Sequence, residues 1–345
     1  MRRRAFLGLA AGGVVLFRVS RVEAKRVTDS AGRAVDVPDR ARRVFPAGPP
    51  ASVILFMVAP EKMLGWARAP GPRARAFLPP RYSALPETGR LTGRGNTVGL
   101  EDLVKLAPDF VLDVGSTTPT YVSLADQVQR RTHIPEVLIG GRLADTPETL
   151  RKLGGLLGVA SRAEALARYA ETVLAVIRRG VGQIAADRRP SIYVARGPQG
   201  LQSAVAGSIG SEVVDLLGAR NVVGVDAGSR AIVNVSVERI LARQPDVILV
   251  TDRRFRAAIG GDPVWREAKA VRQGHVHFVP DLPFSWLDEP PAPNRLIGLL
   301  WLGKLLYPAV FAQDLRAETR RFYDLFYHQA PTDAQLDALL ADPPG

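Results

Sequence analysis

The 345-residue chain contains no cysteine and only four histidines. The first absence excludes disulfides, thiolate metal sites, cysteine nucleophiles and lipid attachment through an N-terminal cysteine. The second leaves few general bases. Only His275-Val276-His277 has a spacing that would set two imidazoles on one face of a strand. Two ligands do not close a metal site, so no metal held directly by the protein is expected. The chain also lacks Gly-x-Ser-x-Gly, His-Glu-x-x-His and Gly-Lys-Ser/Thr, the common hydrolase and phosphate-loop signatures. Neither an enzyme nor a resident cofactor is expected.

Charge carries a different message. Lys and Arg number 46 against 34 Asp and Glu, a net charge of +12. Part of that excess sits in residues 1–24, MRRRAFLGLAAGGVVLFRVSRVEA, where a basic start precedes an apolar run from Ala5 to Phe17 and ends at Val22-x-Ala24. This is the layout of an export signal, and Arg3-Arg4-Ala5-Phe6-Leu7 fits the twin-arginine form. The apolar run falls short of the roughly 20 residues that a spanning helix needs. Removing the segment takes away five Arg and one Glu, leaving 41 basic and 33 acidic residues, or +8. The basic residues are not grouped with base-stacking aromatics, and an exported protein does not meet nucleic acid.

With 46% hydrophobic residues the rest of the chain can bury a substantial core. Its organisation shows in a repeat. Residues 98–114, VGLEDLVKLAPDFVLDV, align without a gap to residues 235–251, VSVERILARQPDVILVT. In the first copy Leu100, Leu103, Val104 and Ala107 make a helical stripe, Pro108 ends it, and Phe110-Val111-Leu112 reads as a buried strand. In the second copy Val237, Ile240 and Leu241 lead to Pro245 and Val247–Val250, with Ser236 placed as N-cap. Each copy is a helix feeding a parallel strand, the step of an α/β lobe.

Between the copies, Leu166, Tyr169, Ala170, Val173, Leu174, Ile177, Val181 and Ile184 hold one helical face. Ser161-Arg-Ala-Glu164 predicts a capping box, and Pro190 lies past the end. The expected organisation is a signal over 1–24, an N-terminal α/β lobe over 25–158, a linker helix over 159–189 about 40 Å long, and a C-terminal α/β lobe over 190–345. The fold class is therefore α/β, two Rossmann-like lobes joined by one long helix, with a ligand cleft between them.

Further residues carry a resemblance. The start Arg26-Val27-Thr28-Asp29-Ser30-Ala31-Gly32-Arg33, the doubled helix-Pro-Asp-strand unit, the single long helix, Asp262-Pro-Val-Trp265, Gly274–Pro280, Pro283-Phe-Ser-Trp286 and Asn294–Gly298 resemble the periplasmic binding proteins that serve ABC importers of iron-siderophore chelates, haem and cobalamin. The resemblance covers nearly the whole chain beyond the signal. It implies a monomeric periplasmic protein that captures a metal chelate between its lobes and delivers it to an inner-membrane ABC permease. It also implies that Glu101 and Glu238, one per repeat, dock on permease arginines. The stretch Asp288–Arg295 resembles the branch that includes molybdate and tungstate binders, so a metal oxyanion is the alternative ligand. A two-lobed sensor that reports ligand to a membrane partner would need the same cleft and docking face.

In α/β sheets ligands gather beyond the carboxyl ends of strands. The loops there supply Tyr121, Arg196, Gln202, Arg254, Phe284 and Trp286 as candidate ligand-binding residues. Arginine gives forked donors to oxygen anions, and aromatics bury area at low entropic cost. The arginine-rich, Pro- and Gly-dense segment 68–81 is read as an exposed loop of the first lobe, and Asn294 as the N-cap of the helix that follows it.

Overall fold

The computed structural model describes residues 24–92, 95–224 and 231–341. Residues 1–23, which carry most of the expected export signal, lie outside them. Among the described residues no helix is long and apolar enough to cross a membrane.

The first lobe opens with an antiparallel hairpin, β1 (Ala24–Thr28) and β2 (Ala34–Pro38), followed by β3 (Val44–Pro46). The helices α1 (Pro49–Val58), α2 (Pro72–Arg75), α3 (Pro80–Ser83) and α4 (Leu100–Leu106) lead to β4 (Phe110–Gly115). Then come α5 (Pro119–Thr132), β5 (Glu136–Gly140), α6 (Thr146–Leu157) and the long α7 (Ala160–Val181). Strands β3, β4 and β5 form a parallel sheet in that order.

The second lobe runs β6 (Ser191–Ala195), β7 (Gln202–Ala204), α8 (Glu212–Leu216), β8 (Arg220–Asn221) and β9 (Ile232–Asn234). It continues through α9 (Val237–Arg243), β10 (Val247–Val250), α10 (Arg253–Ile259), α11 (Lys269–Arg272) and β11 (Val276–Phe278). Its parallel sheet has the order β11-β10-β6-β8, and β7 pairs antiparallel with β9. Three helices close the chain: α12 (Arg295–Leu306), α13 (Leu315–Tyr327) and α14 (Asp333–Leu340). The protein is thus α/β with two parallel sheets, as its alternation of helices and apolar runs predicts.

The repeat has a structural reason for its Pro-Asp pair. Helices α4 and α9 each end in a left-handed residue, Ala107 (φ 44°) and Gln244 (φ 41°), which turns the chain towards the next strand. The Asp109 carboxylate then accepts from the Arg42 and Arg43 amides, at 2.6 and 2.8 Å, at the foot of β3. Asp246 does the same for β6, accepting from the Ser191 amide and hydroxyl at 2.7 Å each. Each Asp satisfies donors where the neighbouring parallel strand begins, so it sets that strand's start. Ser236 caps α9 as expected, accepting from the Arg239 amide. The helical stripe of the first copy is narrower than its sequence suggests. Leu103 is buried whereas Val104 is half exposed, because α4 is only seven residues long and touches the lobe along one edge.

Helix α7 departs from expectation at both ends. It begins at Ala160 with no side-chain cap, and Glu164 turns instead to Arg151 at 2.7 Å and to Arg168 at 2.9 Å. A charged partner on α6 outcompetes the local capping box. The helix stops at Val181, so it is about 33 Å long, and Ile184 is buried in the turn beyond it. Leu166, Tyr169, Ala170, Val173 and Ile177 form its buried face as predicted. Against α6 the approach is so close that a Cβ on Gly154 would lie 2.3 Å from that of Ala163.

One core cluster joins α1, α6, α7, β4, β6 and α12 to α13. Aromatic residues of α13 build much of it. Phe322 stacks on Phe326 at 4.5 Å, Tyr169 of α7 meets Phe326 at 5.5 Å, and Phe56 of α1 meets Tyr327 at 6.4 Å. The end of the chain therefore packs back on helices of the first lobe.

Candidate functional site in the interlobe cleft

Loops at the carboxyl ends of β3, β4 and β5 face the segment after β7 across a cleft of about 1400 Å³. The first lobe contributes Ser30, Thr92, Asp113, Ser116, Tyr121, Arg142 and Lys152, and the second contributes Val205–Ile209 and Ala231. A smaller chamber of about 690 Å³ continues from it, bounded by Trp66, Arg68, Arg90, Arg196, Gln202 and Phe284. Both chambers touch Pro49, Pro50, Ile209, Ala231 and Pro291. The amino end of α1 thus lies where they meet. Its first turn holds no acidic residue, so its dipole presents positive potential there, although the two prolines remove amide donors.

The candidate residues distribute unevenly. Tyr121, in the first turn of α5, lines the main chamber. Arg196, Gln202 and Phe284 line the smaller one. Arg196 and Gln202 are neighbours because the chain doubles back between them: the Arg196 amide donates to the Gln202 carbonyl at 2.9 Å, with Gly197 and Gly200 both at positive φ. Phe284 packs between Trp66 at 5.9 Å and Tyr327 at 5.7 Å. Arg254 lines neither chamber. Its guanidinium folds back on Asp252, the residue that caps its own helix α10. Trp286 is a core residue with no exposed surface, set edge-on to Trp301. Asn294 precedes α12, but its side chain donates to the Ser285 and Pro290 carbonyls and fixes the loop rather than capping the helix. Within segment 68–81, Arg68 to Gly71 and Ala74 rim the smaller chamber, and the short helix α2 and the start of α3 interrupt the expected loop.

Sequence reasoning missed Asp113. It sits near the carboxyl end of β4, buried beside the main chamber, and accepts from the Thr92 hydroxyl at 3.2 Å. Burial pushes its carboxyl up to about 6, against the Thr92 hydrogen bond. Glu136 of β5 is also buried, and burial together with the nearby Asp113 charge pushes it up to about 8. One oxygen of each carboxyl has no hydrogen-bond partner among the described residues. An acidic residue inside an apolar strand was the only signal, and Phe-Val-Leu-Asp-Val carries it.

Also missed was the joint beneath the cleft. Arg295, at the start of α12, donates to Glu212 of α8 at 2.6 Å, to the Ile209 carbonyl at 3.0 Å and to the Gly141 carbonyl at 2.6 Å. Glu212 in turn accepts from the Leu143 amide at 2.9 Å. Both charged residues are buried. Gly141 and Leu143 follow β5, so this knot ties the first lobe to the second.

Two α/β lobes with a wide cleft between them, lined by both apolar and polar groups, are the layout of a ligand-binding protein. The pattern of the family described as "Periplasmic binding protein" matches residues 76–282, and the chain belongs to that family. It is 26% identical to the molybdate-binding protein MolA of Haemophilus influenzae over 87% of this chain and 90% of that protein. It is 22% identical to the high-affinity heme uptake system protein IsdE of Staphylococcus aureus over 68% of this chain and 80% of that protein. Among solved structures, an ABC transporter solute binding protein from Sulfurospirillum deleyianum superimposes with a TM-score of 0.83 at 26% identity, covering 91% of this chain and 98% of that one. MolA bound to molybdate shares the fold with a TM-score of 0.72 at 22% identity, covering 89% and 99%.

Proposed function

We propose that the protein is the exported, soluble substrate-binding component of an ABC importer, capturing a metal chelate of the iron-siderophore, haem or cobalamin class in the interlobe cleft. The observation that carries this reading is the cleft itself. At about 1400 Å³ it exceeds the roughly 300–1,000 Å³ of ordinary small-molecule pockets, and hydroxyls, Arg142 and Lys152 line it. Residues 1–24 serve as the export signal, the lobes divide on either side of α7, and the protein works as a monomer. Tyr121, Arg196, Gln202 and Phe284 contact the ligand, whereas Arg254 and Trp286 support the second lobe. Glu101 and Glu238 grip the permease: each lies exposed in the first turn of its helix, and neither joins an ion pair among the described residues.

A molybdate or tungstate oxyanion is the second reading, favoured by the likeness to the molybdate-binding MolA over 87% of this chain. Native mass spectrometry with elemental analysis, on protein purified from its own export compartment, separates the two. Iron or cobalt in the bound species supports the chelate, and molybdenum or tungsten supports the oxyanion. Protein that stays empty after incubation with both classes of ligand would overturn both readings.

A further inference from the structure

Two buried acids border the main chamber, Asp29 and Asp113. The scaffold uses the first completely. One oxygen of Asp29 accepts from the Ala31 and Arg33 amides at 2.9 Å each, and the other accepts from Arg33 Nε at 2.9 Å and from the Leu138 amide at 3.3 Å. Asp113 is different. It is 5% exposed, its Oδ1 accepts from the Thr92 hydroxyl, and its Oδ2 has no hydrogen-bond partner among the described residues.

The basic residues of the chamber are engaged elsewhere. Arg142 pairs with Glu212 at 3.3 Å, and Lys152 Nζ lies 3.5 Å from Ser30 Oγ. The fold itself asks for no acid at this position, since the second copy of the repeat has the buried Val250 there. Yet the carboxyl is held in place. The Thr92 amide donates to the Ala47 carbonyl at 3.1 Å, and a Cβ on Gly48 would come within 3.2 Å of Thr92 Oγ1, so the backbone is shaped around the hydroxyl that orients Asp113. Burial raises the Asp113 carboxyl only to about 6, which leaves it ionised at neutral pH, whereas Glu136 at about 8 keeps its proton. A buried carboxylate with an open acceptor is costly until a donor meets it.

We infer that Asp113 is a ligand-reading acceptor of the main chamber, taking a hydrogen bond from an N–H or O–H group of the bound molecule. This rests on the proposed binding function and deepens it. The ligand is then a chelate that presents an ammonium, amide or hydroxyl donor, and a bare oxyanion meets a like charge instead.

Isothermal titration at neutral pH tests the inference on wild type, Asp113→Asn and Asp113→Val, with thermal unfolding of the ligand-free proteins as a check on folding. The probes are a ferric trihydroxamate carrying a terminal ammonium group and molybdate, which has no such donor. Asp113→Asn keeps the shape, and Asp113→Val installs the residue of the other copy; whichever folds decides the test. Each should weaken the trihydroxamate by about ten- to a hundredfold, the scale of a hydrogen bond to a charged group, without weakening molybdate. An unchanged trihydroxamate affinity would overturn the inference. Equal weakening of both probes would overturn it too, because Asp113 would then only shape the chamber. Wild type that takes molybdate alone would overturn it while leaving the binding function standing. If wild type takes neither probe, the proposed ligand classes fall and the inference with them.

Discussion

The two copies of the repeat use the same positions for their scaffold and diverge where they reach the cleft. Leu103 and Ile240 both bury against their sheets, Ala107 and Gln244 both turn left-handed, and Asp109 and Asp246 both fasten the start of the adjacent strand. At the carboxyl ends of the strands the likeness stops. Asp113 of β4 aligns with Val250 of β10, so one lobe offers the cleft region a buried acid and the other an apolar residue. Similarity between the copies therefore reports how a lobe is built. Difference between them reports what each wall does for the ligand.

The largest expected effect comes from cutting the joint that lets two unlike walls act together. Glu212→Gln leaves Arg295 charged and buried without its counter-ion, which should cost about 3–5 kcal/mol in denaturant unfolding. A loss below about 1 kcal/mol would mean that the lobes do not depend on this knot.

The paired scaffold is tested next. Asp109→Ala and Asp246→Ala should each cost about 1–3 kcal/mol, since each strands two donors where a strand begins. Asp246 adds a pH signature. Although burial opposes it, hydrogen bonds from Lys269 and Ser191 hold its carboxyl at about 2. A depressed carboxyl contributes stability that is present above its unfolded value of about 3.9 and lost as pH falls through about 2. Acid unfolding below pH 4 should therefore be shallower in Asp246→Asn than in wild type.

The difference between the copies has the opposite sign. Asp113 at about 6 and Glu136 at about 8 hold protons in the folded protein that the unfolded chain releases near pH 4. Unfolding free energy should fall as pH rises from about 4 to 8, and Asp113→Asn with Glu136→Gln should flatten that slope. A slope unchanged in the double variant would show that neither acid is held neutral.

Local periodicity made the architecture legible. The repeat named both parallel sheets, and the alternating face of residues 166–177 named the long helix. Its ends were not legible, because Arg151 on α6 decides where Glu164 goes, and that contact spans 13 residues of sequence. The cleft was half legible. Loops following strands led to Tyr121, Arg196, Gln202 and Phe284, but the same rule swept in Trp286, which the core claims, and Arg254, which its own cap residue claims. Asp113 and the Arg295–Glu212 knot are made by partners 21 and 83 residues away, and no local pattern announces them.

The central claim is that each lobe presents one carboxylate to a membrane permease. The direct measurement is ligand uptake by cells carrying Glu101→Ala with Glu238→Ala, beside the ligand affinity of the purified double variant. The account predicts that uptake is lost while affinity stays at the wild-type value, with each single change giving an intermediate loss. Uptake that survives the double change with affinity intact would contradict it.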